Sequence, residues 1–340
     1  MNAIAKRNIG RTQLQVTQMG FGAAPLGGFR GVISEHEVAL TLQLVRDSGL
    51  NYFDTSPYYG YGRSELRVGQ FLRDLPRASY VLSTKVGRWM EPLNHNAPPA
   101  DLRPGGLPFQ PQFDYSASGT HKSLEQSMMR LGISEIDIVY IHDVDVYTHG
   151  SVEAADQRYR EVMEGCYPEL EKLRSAGVIK AIGVGINETE RALRFATDTD
   201  IDCMLLAGRY TLLEQVPLDA LLPKCLERSI SIVLGGPYNS GVLATGPGDN
   251  AKYDYGAVPD HIAGRVIALQ DVCARHGVNL IAAALQFPLA HESVVSVIPG
   301  AMNSAEQQAN FAAMNEPIPV AFWQDLIARD LLRADAPVPA

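Results

Sequence analysis

Eight brief apolar runs, each followed by a stretch whose apolar residues recur at helical spacing, fill the chain from residue 18 to residue 314. Strands joined through helices run parallel, because a parallel pair needs a long crossover connection. A chain with this alternation therefore folds around a parallel sheet with helices packed against it. The apolar runs are 18–23, 51–55, 80–85, 136–141, 179–184, 202–206, 231–234 and 294–298. The amphipathic stretches are 34–48, 64–75, 118–131, 160–175, 189–197, 218–228, 261–276 and 304–314. Ser34 with Glu37 three residues on reads as a capping box, and Gly49, Gly132, Gly177 and Gly277 sit where helices stop. The opening segment around Gly10 reads as a β-hairpin.

Such a sheet can stay open and doubly wound or close into a barrel. The open dinucleotide-binding form carries Gly-x-Gly-x-x-Gly after its first strand. Here the first strand runs Gly-Phe-Gly-Ala-Ala-Pro from Gly20, and the Gly-Val-Gly at Gly183 continues into Ile-Asn-Glu. The fingerprint is absent, so the pattern predicts an α/β fold of the (β/α)8 TIM-barrel type, with an N-terminal β-hairpin and long βα loops. No composition shift or internal repeat interrupts it, and residues 1–340 read as one barrel domain. Two long connections, 87–115 and 143–159, are expected to be loops that wall or cover a site.

Composition narrows the function classes. The formal charge is -9, from 29 Lys plus Arg against 38 Asp plus Glu, and no basic run is present, which argues against a nucleic-acid partner. The longest apolar stretch, 280–290, is broken by Gln286 and Pro288 and falls short of the roughly 20 residues a membrane span needs. The N-terminal stretch lacks the apolar core of a secretory signal, so a cytoplasmic location is expected, and the Asn-x-Thr triplet at Asn187 carries no weight as a glycosylation site. Cys166, Cys203, Cys225 and Cys273 are widely spaced, with neither CxxC nor histidine at metal spacing. They read as buried thiols, with no metal site and no disulfide framework.

In a closed barrel, catalytic groups come from the C-terminal ends of different strands. The polar residues that close apolar runs are Asp54, Lys85 and His142, and Tyr59 follows Asp54 by five positions. Individually they admit plain readings: a buried structural ion pair, a satisfied core histidine, and one of several tyrosines in a loop. Together they form a complementary set. A phenol titrates near about 10. An adjacent ammonium is expected to lower that value, a carboxylate to fix the ammonium, and a histidine to orient a substrate oxygen. This chemistry suits proton transfer at an alcohol or carbonyl coupled to hydride transfer at its carbon. No serine or cysteine has an evident base beside it.

The motifs Met19-Gly-Phe-Gly22, Asn51-Tyr-Phe-Asp-Thr-Ser-Pro-Tyr-Tyr-Gly60, Ser83-Thr-Lys-Val-Gly87, Ile136-Asp-Ile-Val-Tyr-Ile-His142 and Ile298-Pro-Gly300 resemble those of the aldo-keto reductases, in order and over nearly the whole chain. The resemblance implies hydride transfer between NAD(P)(H) and carbonyls or alcohols. It implies Tyr59 as general acid and base, Lys85 and Asp54 as its tuning pair, and His142 as the residue that orients substrate. For the cofactor it implies Gly22, Asn187 near the nicotinamide amide, and the loop of Gly235, Gly236, Pro237, Tyr238, Asn239, Ser240 and Gly241 around the pyrophosphate. Ala207 stands where a glutamine commonly binds the carboxamide. Gly300 and Glu306 stand where members that prefer NADP carry lysine and arginine, so NAD is the expected cofactor, with NADP possible as a second acceptor. Gln307 and Asn310 match the residues that contact the adenosine portion.

A narrower resemblance, through Leu206-Ala-Gly-Arg-Tyr-Thr-Leu-Leu-Glu214, Tyr167-Pro-Glu-Leu and Ala283-Ala-Leu-Gln-Phe-Pro288, is to the bacterial aldose 1-dehydrogenase branch. That branch includes D-threo-aldose (L-fucose) 1-dehydrogenases and is similar to pyridoxal 4-dehydrogenases. It implies oxidation of a ring hemiacetal to a lactone. Tyr58, Trp89 and Asp143 are the candidates for the substrate wall. The partner expected is a small molecule, an aldose or pyridoxal, and the oligomeric state stays open. The alternative from another class is a cofactor-binding interaction protein without turnover, as in the potassium-channel β subunits of the family.

Overall fold

The computed structural model describes residues 1–28, 31–93 and 105–340. Each predicted run contributes one strand: β1 (Phe21–Gly22), β2 (Tyr52–Asp54), β3 (Val81–Val86), β4 (Ile138–His142), β5 (Ala181–Ile186), β6 (Cys203–Ala207), β7 (Ser231–Gly235) and β8 (Val294–Ile298). They pair in parallel in sequence order. Met19 then bridges Val297 in parallel, with Gly20 N–H donating to Val297 O at 2.9 Å and Val297 N–H to Gln18 O at 2.9 Å. These bonds join the two edges of the eight-stranded sheet and close the (β/α)8 barrel, which leaves that sheet without a free edge. Only the middle of the first predicted run pairs as a regular strand, because Gln18 to Gly20 are taken up by this closure.

Strands buried on both faces read as continuous apolar runs, and one face of these packs under the helices while the other fills the barrel. The N-terminal hairpin, Lys6–Asn8 with Gln15–Thr17, plugs the end where the strands begin. Its Ile9, Leu14 and Val16 join the inner core with Tyr52, Val81 and Ile138, and Gly10 N–H donates to Ser231 Oγ at 2.7 Å. The opposite end, where the strands finish, is left for chemistry.

Helix ends follow the expected signals. Ser34 Oγ accepts from Glu37 N–H, while Gly132 and Gly277 end their helices in the left-handed conformation. The capping box is only half formed, because the Glu37 carboxylate reaches out to Ser304 N and Oγ at 2.6 and 2.8 Å. The connection 143–159 is helical rather than a loop: Val146–His149 and Val152–Glu161 are capped by Asp145 and Ser151. From Val152 the chain stays helical through a π turn, Val162–Cys166, to Ser175, so the helix predicted at 160–175 starts earlier. The connection 87–115 contains an antiparallel ribbon, Arg88–Pro92 with Phe109–Phe113, and its middle, 94–104, lies outside the described residues. Leu280–Gln286 and Val320–Ala328 are helices that the periodicity did not separate.

One glycine makes room inside the barrel. A Cβ on Gly183 would lie 2.4 Å from Cδ1 of Tyr140, its register partner on β4, and 2.9 Å from the Cys203 carbonyl oxygen on β6. Gly183→Ala is expected to destabilise the fold by about 1–3 kcal/mol through overpacking. Urea unfolding checks this: the midpoint falls while the slope stays unchanged.

Candidate active site

Parallel register brings three strand ends to one mouth. Asp54 closes β2 opposite Ser83, Lys85 sits beside Tyr140, and His142 closes β4. Lys85 Nζ lies 2.8 and 2.7 Å from the two Asp54 carboxylate oxygens and 2.8 Å from Thr55 O, so all its donors are engaged. Both side chains are buried, at 1% and 2% exposure, which makes the pair a desolvated one. Burial holds the Asp54 carboxyl above its ordinary range, against the pull of Lys85 and of the hydrogen bonds from Lys85 and Ser83.

A chain of hydroxyls backs the carboxylate. Ser83 Oγ donates to Asp54 Oδ1 at 2.7 Å, so the Tyr52 hydroxyl, 3.1 Å from Ser83 Oγ, must donate to it. Tyr140 OH, 3.0 Å away, then donates to Tyr52, and Cys203 Sγ to Tyr140 at 3.7 Å. Every proton in the chain points toward Asp54.

Tyr59 lies in the loop after β2, where main chains touch. A Cβ on Gly27 would stand 2.5 Å from the Tyr59 carbonyl carbon, and one on Gly60, whose φ is +65°, 2.1 Å from Gly27 O. Only glycine permits both approaches. Tyr59 thereby sets its ring 4.8 Å from Lys85 Nζ and edge-on to His142, with ring centroids 6.2 Å apart. Its phenol is pushed well above the usual range by burial and by the Asp54 and Asp143 carboxylates, with Arg88 pulling the other way. This differs from the expectation of a lowered value: burial outweighs the nearby cations, and the Lys85 charge is matched by Asp54. His142 is held well below the usual imidazole range by burial and by the Arg88 and Lys85 cations.

The predicted cofactor residues line the same end of the barrel. Gly22 and Gly300 stand back to back at the ends of β1 and β8; a Cβ on Gly300 would meet Pro25 Cγ at 2.6 Å and Gly22 O at 3.0 Å. In the loop after β7, Gly236, Asn239, Ser240 and Gly241 all have positive φ, and open space surrounds Gly241. Asn239 anchors that loop, donating to Gly208 O at 3.0 Å and accepting from Thr211 Oγ1 at 2.6 Å. Pro237 is buried beneath it. Tyr238 OH donates to Asn310 Oδ1 at 2.6 Å. The Glu306 carboxylate accepts Met302 N–H at 2.9 Å, just ahead of the helix Ser304–Asn315, which Asn303 caps by accepting Glu306 N–H at 2.8 Å. Gln307 is fully buried, yet neither its amide oxygen nor its nitrogen has a partner among the described residues. An unpaired buried amide costs about 1–3 kcal/mol, so this set fits a polar ligand such as the adenosine end of a dinucleotide.

On the substrate side, sequence reasoning missed Arg88. Successive residues of a strand face opposite sides. Trp89 turns to Lys122 on the helix Ala117–Leu131, not into the mouth, whereas Arg88 turns in between the rings of Tyr58 and Phe113. Asp143, at φ +54°, takes Arg88 Nη2 at 2.8 Å. Asn187 Nδ2 lies 3.4 Å from Asp143 Oδ1 and 3.2 Å from Asp145 Oδ2, while Tyr255 OH donates to Asn187 Oδ1 at 3.4 Å. Tyr255 sits on the turn of a second small hairpin, Lys252–Tyr253 with Gly256–Ala257. Nothing in its local sequence marked it, because its place depends on Ser240 Oγ accepting its N–H at 2.9 Å. Ala207 closes β6. Among the described residues no cluster of three or more His, Cys, Asp or Glu can hold a metal ion, and no helix is long and apolar enough to cross a membrane.

Comparison with known proteins defines the class. A pyridoxal 4-dehydrogenase from Microbacterium luteolum is 39% identical, covering 98% of this chain and 99% of its own. A D-threo-aldose 1-dehydrogenase from a Pseudomonas species is 36% identical, covering 94% and 95%. The holo form of an aldo-keto reductase from Bacillus halodurans superposes with a TM-score of 0.76 at 23% identity, covering 98% of both chains, which shows the shared fold. The protein is an oxidoreductase that acts on CH–OH groups with a nicotinamide cofactor. It belongs to the aldo/keto reductase family, whose model matches residues 18–328.

Proposed function

We propose that residues 1–340 act as one barrel domain that oxidises the anomeric hydroxyl of a cyclic aldose, of the L-fucose and D-threo-aldose type, to the lactone, with NAD preferred. The convergence of Asp54, Tyr59, Lys85 and His142 at one mouth carries this reading. Tyr59, as phenolate, takes the hydroxyl proton, and His142 holds the same oxygen by a hydrogen bond. Lys85, fixed by Asp54, stabilises the phenolate that must form. Gly22, Asn187, the 235–241 loop, Gln307 and Asn310 would hold the nicotinamide dinucleotide, which would supply the acceptor for the hydride from carbon 1. The ring carbon thereby becomes the lactone carbonyl.

Pyridoxal is the second reading, because it also closes to a ring hemiacetal and the relative at 39% identity carries that name. Initial rates of reduced-nicotinamide formation with L-fucose, D-arabinose, L-galactose and pyridoxal separate the two. Turnover of pyridoxal alone moves the assignment to pyridoxal oxidation by the same residues. Silence on every substrate favours a non-catalytic interaction protein.

NAD preference rests on the absence of room at Gly300 and on the carboxylate of Glu306, which repels a 2′-phosphate. Glu306→Arg is expected to raise kcat/KM for NADP+ relative to NAD+ about tenfold or more, since a hydrogen bond to a charged group contributes about 1.5–3 kcal/mol. Paired assays with the two cofactors check it, and an unchanged ratio would remove Glu306 from the specificity argument.

A further inference from the structure

Arg88 is the residue of the mouth that the four converging side chains do not explain. It opens the ribbon strand Arg88–Pro92, is 4% exposed, and lies between two aromatic rings, 4.5 Å from the Tyr58 centroid and 4.4 Å from that of Phe113. Its carbonyl accepts Ser123 Oγ–H at 2.7 Å, which fixes the backbone from which it projects. Asp143 Oδ2, 2.8 Å from Nη2, matches its charge. The remaining arm of the guanidinium, Nη1, lies 3.1 Å from His142 Nδ1.

A guanidinium has donors and no acceptor. His142 Nδ1 must therefore present its lone pair to Arg88, and the ring proton sits on Nε2. Ser56 Oγ, 3.4 Å from the same nitrogen, can also donate to it. A second proton on Nδ1 would face the Arg88 N–H at 3.1 Å and lose that contact, leaving only the Ser56 hydroxyl to accept it. On the other side, Nε2 is 3.4 Å from Asp143 Oδ1, and the Tyr115 hydroxyl donates to the His142 carbonyl at 2.7 Å. The ring thus has one proton and one orientation.

We propose that Arg88 is a positioning residue that keeps His142 neutral with its proton on Nε2, so that His142 serves the substrate oxygen only as a hydrogen-bond donor. This rests on the role given to His142 above. The cations acting on His142 are Arg88 from the ribbon and Lys85 from β3, both of which oppose its protonation. Asp143, next along the chain, faces Nε2, but its other oxygen is committed to Arg88. The phenols of Tyr58 and Tyr59, whose ring centroids lie 6.4 and 6.2 Å from that of His142, complete its surroundings with Tyr115.

The test is nitrogen NMR of the histidine-labelled enzyme across pH, with the His142 signals assigned through His142→Gln. In the wild type, His142 should show a protonated Nε2 and bare Nδ1, with no titration near the ordinary value of about 6.5. In Arg88→Met, burial and Lys85 still hold the imidazole below that value, but its titration should move to higher pH than in the wild type and its proton should no longer be confined to Nε2, and kcat/KM should acquire a limb that falls about tenfold per pH unit below the shifted titration. Arg88→Lys, which keeps a cationic donor, should restore the flat profile. A wild-type spectrum with the proton on Nδ1, or an Arg88→Met imidazole whose tautomer and titration are unchanged from wild type, overturns the proposal. The spectra need no turnover, so they decide on Arg88 even if Tyr59 or the substrate has been assigned wrongly. The wild-type tautomer decides it even if Arg88→Met does not fold.

Discussion

Tyr59→Phe is expected to lower kcat by about 10²- to 10⁴-fold, the range that a positioned proton donor or acceptor contributes. The ring that packs over Lys85 and against His142 is retained, so only the hydroxyl leaves. Binding of NADH, followed by its fluorescence, should stay within a few-fold of wild type. Activity within a few-fold of wild type would show that another group moves the proton. The pH dependence carries the same assignment. Because burial and the two carboxylates hold the phenol well above its usual range, the protonated form dominates at neutral pH. Reduction of a carbonyl, which uses that form, should be flat through neutral pH and fall only as pH rises toward the raised value. Oxidation needs the phenolate, so its rate should climb as pH rises over the same range.

The fold was legible because a strand buried on both faces must be apolar throughout, and the eight runs announced themselves by length and by the helices between them. Asp54, Lys85 and His142 were legible for a related reason: a charged or titratable residue that ends such a run has no apolar explanation. Arg88 gave no such signal. It follows Gly87 in what reads as a Pro- and Gly-rich loop, and only the ribbon pairing, Arg88 opposite Phe113, turns it rather than Trp89 into the mouth. Tyr52 and Tyr140 read as ordinary strand aromatics. Their hydroxyls meet under Asp54 because Gly183, the register partner of Tyr140 on the next strand, leaves the space, and register is a property of the sheet rather than of any one segment. The helices at Val146–His149 and Val152–Glu161 were hidden by a polar composition. Their caps, Asp145 and Ser151, were present in the sequence but had no apolar stripe behind them to read.

The Asp54–Lys85 pair separates stability from function. Asp54→Leu leaves the Lys85 ammonium buried with Thr55 O as its remaining acceptor, and Lys85→Met leaves the carboxylate with Ser83 alone. Removing one partner of a buried pair costs about 3–5 kcal/mol, so each single variant should unfold at markedly lower urea. Replacing both by apolar residues of similar volume is often neutral or stabilising, so Asp54→Leu with Lys85→Met should recover most of the loss. The raised Asp54 pKa gives the same sign: between its ordinary value and the native one, the folded protein holds the extra proton, and stability falls as pH rises through that window. The ionised pair is thus a burden on the fold at neutral pH, carried for what it does to Tyr59. The double variant should therefore be as stable as wild type and nearly inactive, with kcat reduced at least as far as in Tyr59→Phe. Urea midpoints and initial rates on the four proteins of the cycle check both halves. A stable double variant that kept its activity would reduce Asp54 and Lys85 to a structural ion pair. A double variant no more stable than the singles would show that the pair holds the barrel mouth together.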